Sequence, residues 1–221
     1  MPAPFSPLFL LLFIIAITAL IAFVQIGLVT IAFDKLGLSS SSALLLLISS
    51  LIGSVINLPL FSLKAEPPAS SSTHPFFGLL RPPPMQFTGR TIITMNVGGG
   101  LIPLFFSAYL MNHHVIPPSD ILIGIFIVTL VSYFISRPVQ GIGIGMPILI
   151  APLCAALVAV MLNSEASAPL AYISGTLGVL IGADILRLNN IRKMGLPFAS
   201  IGGAGTFDGI FITGIVAVLL A

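Results

Sequence analysis

Apolar stretches separated by short polar or glycine-rich intervals run the length of the chain, and seven of them approach the roughly 20 residues that a helix needs to cross a hydrocarbon core. They extend from about Leu8 to Phe33, Ser40 to Phe61, Thr91 to Met111, Ile121 to Ile135, Ile142 to Leu162, Ala168 to Leu186 and Pro197 to Leu220. The first lacks a basic leading region and a following small-residue cleavage site, so it reads as a retained transmembrane helix. The pattern predicts an all-α, polytopic bundle of about seven spans whose later helices are broken by glycine.

The intervals differ in charge. Lys64, Arg81, Arg90, Arg137, Arg187, Arg192 and Lys193 fall in the second, fourth and sixth connections, against Lys35 alone in the odd ones. The excess of Lys and Arg places the even connections and the amino terminus in the cytoplasm and the carboxyl terminus outside. The longest connection, residues 63–90, is rich in Pro and Ser and reads as a polar tether between an amino-terminal hairpin, 1–62, and a five-span core, 91–221.

Composition agrees with this picture. Hydrophobic residues make up 57% of the chain and charged ones 6%, with a mean hydropathy of +1.18, far from the roughly one-quarter charged residues of a soluble domain. The expected setting is the cytoplasmic membrane, multi-pass, with the lipid bilayer as partner. A net charge of +2 with no basic groove excludes nucleic acid. Cys154 stands alone in an apolar segment and reads as a small core residue. His113 and His114 read as loop residues, and no motif calls for a metal or a cofactor.

The core segments contain "NVGGGLIP", "RPVQGIGIGMP" and "SIGGAGTF". Glycine and proline at membrane depth free backbone groups that lipid cannot satisfy, so such breaks belong inside protein or beside water. Two carboxylates accompany them. Asp184 lies in "GTLGVLIGADILRL" and Asp208 follows "SIGGAGTF". An intramembrane acid costs about 2.5 to 3.5 kcal/mol at a helix centre, which makes it a functional-site candidate. Gly175, Gly178 and Gly182 share one helical face, and Gly205 and Gly209 have the same small-xxx-small spacing, so two antiparallel helices could bring both acids into one site.

The acids are level only if "SIGGAG" is irregular and its helix begins near Gly205. Apposed carboxylates in a dry site share a proton, which suits either an acid/base hydrolase or a proton- or cation-coupled carrier. Asn96, Arg187, Gly205 and Thr206 are the candidate substrate contacts around them. Each also has a structural role open to it: Asn96 as a bond to freed backbone, Arg187 as a partner of Asp184, and Gly205 or Thr206 as a helix cap. A non-catalytic membrane scaffold is the third reading.

The succession "NVGGGLIPL", "SRPVQGIGIGMP", "APLAYISGTLGVLIGADIL" and "SIGGAGTFDGIFITGIVAVLLA" resembles a family of bacterial and archaeal multi-pass membrane proteins that carries no assigned activity, over about residues 91 to 221. A fainter similarity is to the presenilin-type and prepilin-peptidase diaspartyl proteases, which place one aspartate on one helix and a second in Gly-x-Gly-Asp on another. It implies Asp184 and Asp208 as the catalytic pair. "GTFD" has Phe207 where the second glycine of that motif belongs, no tyrosine precedes Asp184, and no Pro-Ala-Leu helix follows.

Overall fold

The computed structural model describes residues 11–19, 28–66, 89–139, 143–203 and 209–221. The molecule is mostly helical. Residues 11–19 form α1, followed by α2 (Leu28–Lys35), α3 (Ser40–Gly53), β1 (Asn57–Lys64) and β2 (Arg90–Asn96). A π-helical turn, Val97–Leu101, opens directly into α4 (Ile102–His113), and α5 (Pro118–Ile135) follows. The short strands β3 (Arg137–Val139) and β4 (Gly143–Gly145) precede α6 (Ile150–Leu162) and α7 (Ser167–Val179). A second π-helical turn, Leu180–Ile185, ends α7 before α8 (Leu188–Arg192), β5 (Phe198–Ile201) and α9 (Gly209–Leu220).

The centre of the molecule is α7. All of its residues except Leu177 are buried, as expected of a helix that is apolar on every side. It packs against α4, α5, α6 and α9, and small residues set the distances. A side chain at Gly178 would meet Val128 Cβ at 2.6 Å, and one at Gly182 would meet the Thr129 carbonyl oxygen at 2.4 Å. Helix α5 therefore approaches as closely as backbone allows. Gly175 abuts Ala155 on α6 and Thr213 on α9, so the expected glycine face serves three neighbours rather than the last helix alone. Tyr172 fills the gap to α4, edge-on to Phe106 at 5.0 Å between ring centres.

Helices α7 and α9 are antiparallel. Ser167 Oγ donates to the Ala221 carbonyl at 3.2 Å, while Gly214 lies against Thr176 and Tyr172. The amino-terminal end of α9 consequently lies at the Asp184 end of α7.

The strands correct the expectation of an all-α bundle. β1, β2 and β5 form one sheet in that order. β1 runs antiparallel to β2 from Asn57↔Asn96 to Lys64↔Arg90, with a bulge between Pro59 and Phe61. β2 pairs in parallel with β5 from Ile92↔Phe198 to Met95↔Ile201. The second, third, fifth and seventh apolar segments each divide into a strand and a helix, the fifth through β4, which pairs with β3. Pro59 cannot continue α3, because it lacks the N–H that a helix interior uses, and the β-branched run Thr91–Thr94 suits a pleated surface.

Among the described residues, two helices rather than seven are long and apolar enough to cross a membrane: α5, Pro118–Ile135, and the continuous run Ser167–Arg192. At 1.5 Å per residue α5 is about 27 Å long, whereas the 12 residues of α9 reach only about 18 Å. The exterior is nonetheless apolar over a wide area. Leu122 and Phe126 on α5 are 67% and 63% exposed, and Leu45 on α3 and Leu157 on α6 are similarly bare.

Polar groups gather at the two ends. Arg187 binds the carboxyl-terminal end of α5 beside Arg137, Arg192 Nε donates to the Lys64 carbonyl at 3.0 Å, and Lys64 pairs with Arg90. Six cations, counting Lys193 next to Arg192, therefore meet at one end. At the other, Lys35 donates to Val218 at 3.4 Å and Asn163 to Asp120 at 3.4 Å. His114 lies 3.3 Å from the Leu36 carbonyl, and His113 stacks on Tyr109.

Candidate functional site

Asp184 occupies the π-helical turn that ends α7. The Leu186 N–H reaches back five residues to Ile181 at 2.9 Å, and the extra residue in this wider turn swings the following side chains away from the helical face they would otherwise share. Such single π turns recur at functional sites. The half-buried carboxylate accepts the Gly202 N–H at 3.1 Å.

Gly202 is the residue that joins the acid to the rest of the site. It follows the last residue of β5 and has φ +80°, a left-handed conformation that glycine alone adopts without strain. A Cβ there would lie 2.5 Å from Gly100 N and 2.6 Å from Gly100 Cα. Asp184 therefore sits across one glycine from the other π-helical turn, "VGGGL". Two of the three glycine-rich breaks read from the sequence, those at Gly98–Gly100 and at Gly202, therefore meet.

Asn96 braces that convergence. It is fully buried; its Oδ1 accepts the Gly99 N–H at 2.8 Å, and its Nδ2 donates to the Ser54 carbonyl at 2.7 Å and to Asn57 Oδ1 at 3.2 Å. One amide thus caps the π turn and ties it to the end of α3 and the start of β1. Ser200 on β5 donates to the same Asn57 oxygen at 2.6 Å, and Ser50 Oγ donates to the Gly98 carbonyl. The carboxylate stands beside a floor already satisfied by its own hydrogen bonds. Asn57 is a polar residue at an apolar depth, a signal the sequence carried. Ser200 and the Gly202 N–H carried none, because a backbone donor and a lone serine have no signature until the sheet places them.

The remaining candidates divide. Arg187 follows the π turn closely, but its guanidinium goes to α5: Nε donates to Ser136 Oγ at 3.2 Å, Nη2 donates to the Ser136 carbonyl at 2.9 Å and to the Tyr133 carbonyl, and the group stacks 4.2 Å above the Tyr133 ring. A cation on the last carbonyls of a helix is a favourable carboxyl-terminal cap. Its placement makes Arg187 a clamp between α5 and the π turn. Asp208, Gly205 and Thr206 lie outside the described residues, and α9 is described from Gly209. Among the described residues no group of His, Cys, Asp and Glu is arranged to hold a metal ion.

Chemically, the arrangement offers a half-buried carboxylate that accepts the N–H of the glycine following β5. Residues 51–220 match the model of a family described as a protein of unknown function, DUF1614, and with most of its length inside that match the chain belongs to this family. The match begins within α3 and so takes in β1 as well as the five later segments. No curated protein and no solved structure matches it.

Proposed function

From membership of a family without an assigned activity, we propose that this is a multi-pass protein of the cytoplasmic membrane that hydrolyses a bond at an intramembrane pair of aspartates, Asp184 and Asp208. The membrane setting is supported by the bare apolar exterior, which water would penalise at about 25 cal/mol per Å², and by the gathering of cations at one end, the pattern of a cytoplasmic face. In this setting the helices supply the lipid-facing surface, and the open sheet, whose exposed edge strand β1 leaves backbone groups unpaired, belongs in the polar interface rather than in the hydrocarbon.

The observation that carries the catalytic reading is the hydrogen bond from Gly202 to Asp184. It fixes the first acid beside the strand whose continuation holds the second, and the antiparallel packing of α7 and α9 brings Gly209 to the same end. In the pair, the ionised carboxylate takes a proton from the attacking water while the protonated one donates to the carbonyl oxygen of the scissile bond. Neighbouring carboxylates in a dry site divide the two roles in this way.

The test uses the full chain in reconstituted vesicles with a reporter peptide that spans the bilayer. Asp184→Asn and Asp208→Asn each abolish cleavage while the amount of inserted protein stays constant, because asparagine at 184 still offers an oxygen to the Gly202 N–H. Undiminished cleavage in either variant rejects the pair as the catalytic machinery. Loss of pH-driven ion uptake with no cleavage by the wild type would assign the same acids to a carrier instead.

A further inference from the structure

The cationic end of the molecule holds a feature that the acid pair does not use. β3 and α8 border a shallow cleft of about 270 Å³ lined by Pro138, Asn190, Lys193 and Met194. Arg137 directly precedes Pro138 and is exposed, as is Lys193. Lys193 is the cation in the lining, Arg137 adjoins that lining through Pro138, and the Arg187 guanidinium is pinned nearby in the chain to the Ser136 carbonyl at 2.9 Å. The neighbouring acid, Asp184, accepts the Gly202 N–H. On the elements that lead into β3 and α8, Phe134 is 71% exposed and Leu186 51%.

A cleft with a lysine in its lining, an exposed arginine next to it in the chain and exposed apolar side chains on the adjoining elements complements an amphiphile with an anionic head. We propose that it binds the phosphate of an anionic phospholipid. Lys193 and Arg137 would be the phosphate contacts, and Phe134 and Leu186 the surface for the acyl chains. Basic pockets at the cytoplasmic ends of helices have the charge that such headgroups require. Phosphatidylglycerol is the natural probe, since its head carries one phosphate and no compensating amine. The inference rests on the membrane reading above but not on hydrolysis.

The experiment measures retention of dioleoyl phosphatidylglycerol by the detergent-purified full chain, using native mass spectrometry and titration, with dioleoyl phosphatidylcholine and inorganic phosphate as comparators. Arg137→Gln and Lys193→Gln each weaken phosphatidylglycerol binding roughly five-fold and the pair roughly twenty-five-fold, on the basis of about one kcal/mol for each cation at an anionic surface. Lys64→Gln, at the same end but not among the residues that line the cleft, leaves it unchanged.

Wild-type binding weakens as salt rises from 50 to 500 mM, a readout that needs no variant. Equal binding of phosphatidylcholine overturns the proposal. So does an equal effect of Lys64→Gln, which would mean diffuse surface charge, and so does inorganic phosphate binding as tightly as the lipid. Release of the protein from membranes by carbonate would instead overturn the membrane reading, whatever the lipid titration shows.

Discussion

Helices α5 and α7 are similarly apolar and behave in opposite ways. The α5 span has a mean hydropathy of 1.9 and is 22% buried, whereas the run that contains α7 has 1.5 and is 72% buried. The less hydrophobic helix occupies the core. What separates them is shape: α7 and its π turn bring Gly175, Gly178 and Gly182 to their neighbours, while α5 carries Leu122, Phe126 and Phe134 outward. Where the helices are apolar on their outer faces as well as their inner ones, hydropathy alone does not decide which helix is central. Close approach decides it, and small residues permit close approach.

The strongest way to break this contrast is to fill the α5–α7 contact. Gly182→Leu places a Cβ 2.4 Å from the Thr129 carbonyl oxygen and 3.0 Å from Ser132 Cβ, and backbone cannot yield as a side-chain tip can. A loss of at least about 3 kcal/mol is expected, read as loss of folded protein in detergent thermal melts. A smaller change at Gly182 than at exposed positions would remove α7 from the centre.

Next in size, Phe126→Lys on the outward face of α5 costs about 2.5 to 3.5 kcal/mol if lipid surrounds that face. The expected result is a several-fold drop in membrane-inserted protein. A neutral outcome would show that α5 faces water and would undo the membrane assignment. Smallest is Leu122→Ala on the same face, where no partner atoms are lost to a cavity. Its stability should stay within about 0.5 kcal/mol of the wild type in detergent, and a larger loss would reveal a contact that covers α5.

The long helices were legible in the sequence because they combine length with uninterrupted apolar character: Pro118–Ile135 lies where the fourth run predicts it, and extends it by three residues. The strands were not. "NLPLFSLK" begins inside the second run and ends in the connection read as a tether, and "RTIITMN" opens the third; joined to long apolar stretches, they show no clear two-residue alternation and length argues for helix. Pro59 and the β-branched Thr91, Ile92, Ile93 and Thr94 were the available clues. At the site, the glycine breaks and Asp184 were legible. The hydrogen bond from Gly202 and the bracing of Asn57 and Asn96 by Ser200 depend on the pairing of β2 with β5, which brings together segments separated by most of the core. Arg187 was legible as a charge near Asp184, while its attachment to α5 required the position of the α5 carboxyl-terminal carbonyls.

That same pairing dictates when the site comes into being. Strand β2 leaves the ribosome early and must wait for β5, which is made only after α4 to α8. Contacts so distant along the chain close late in folding. A nascent or truncated polypeptide can therefore assemble much of its helical packing while Asp184 remains without the Gly202 N–H, and this end of the protein is completed in the final moments of biogenesis.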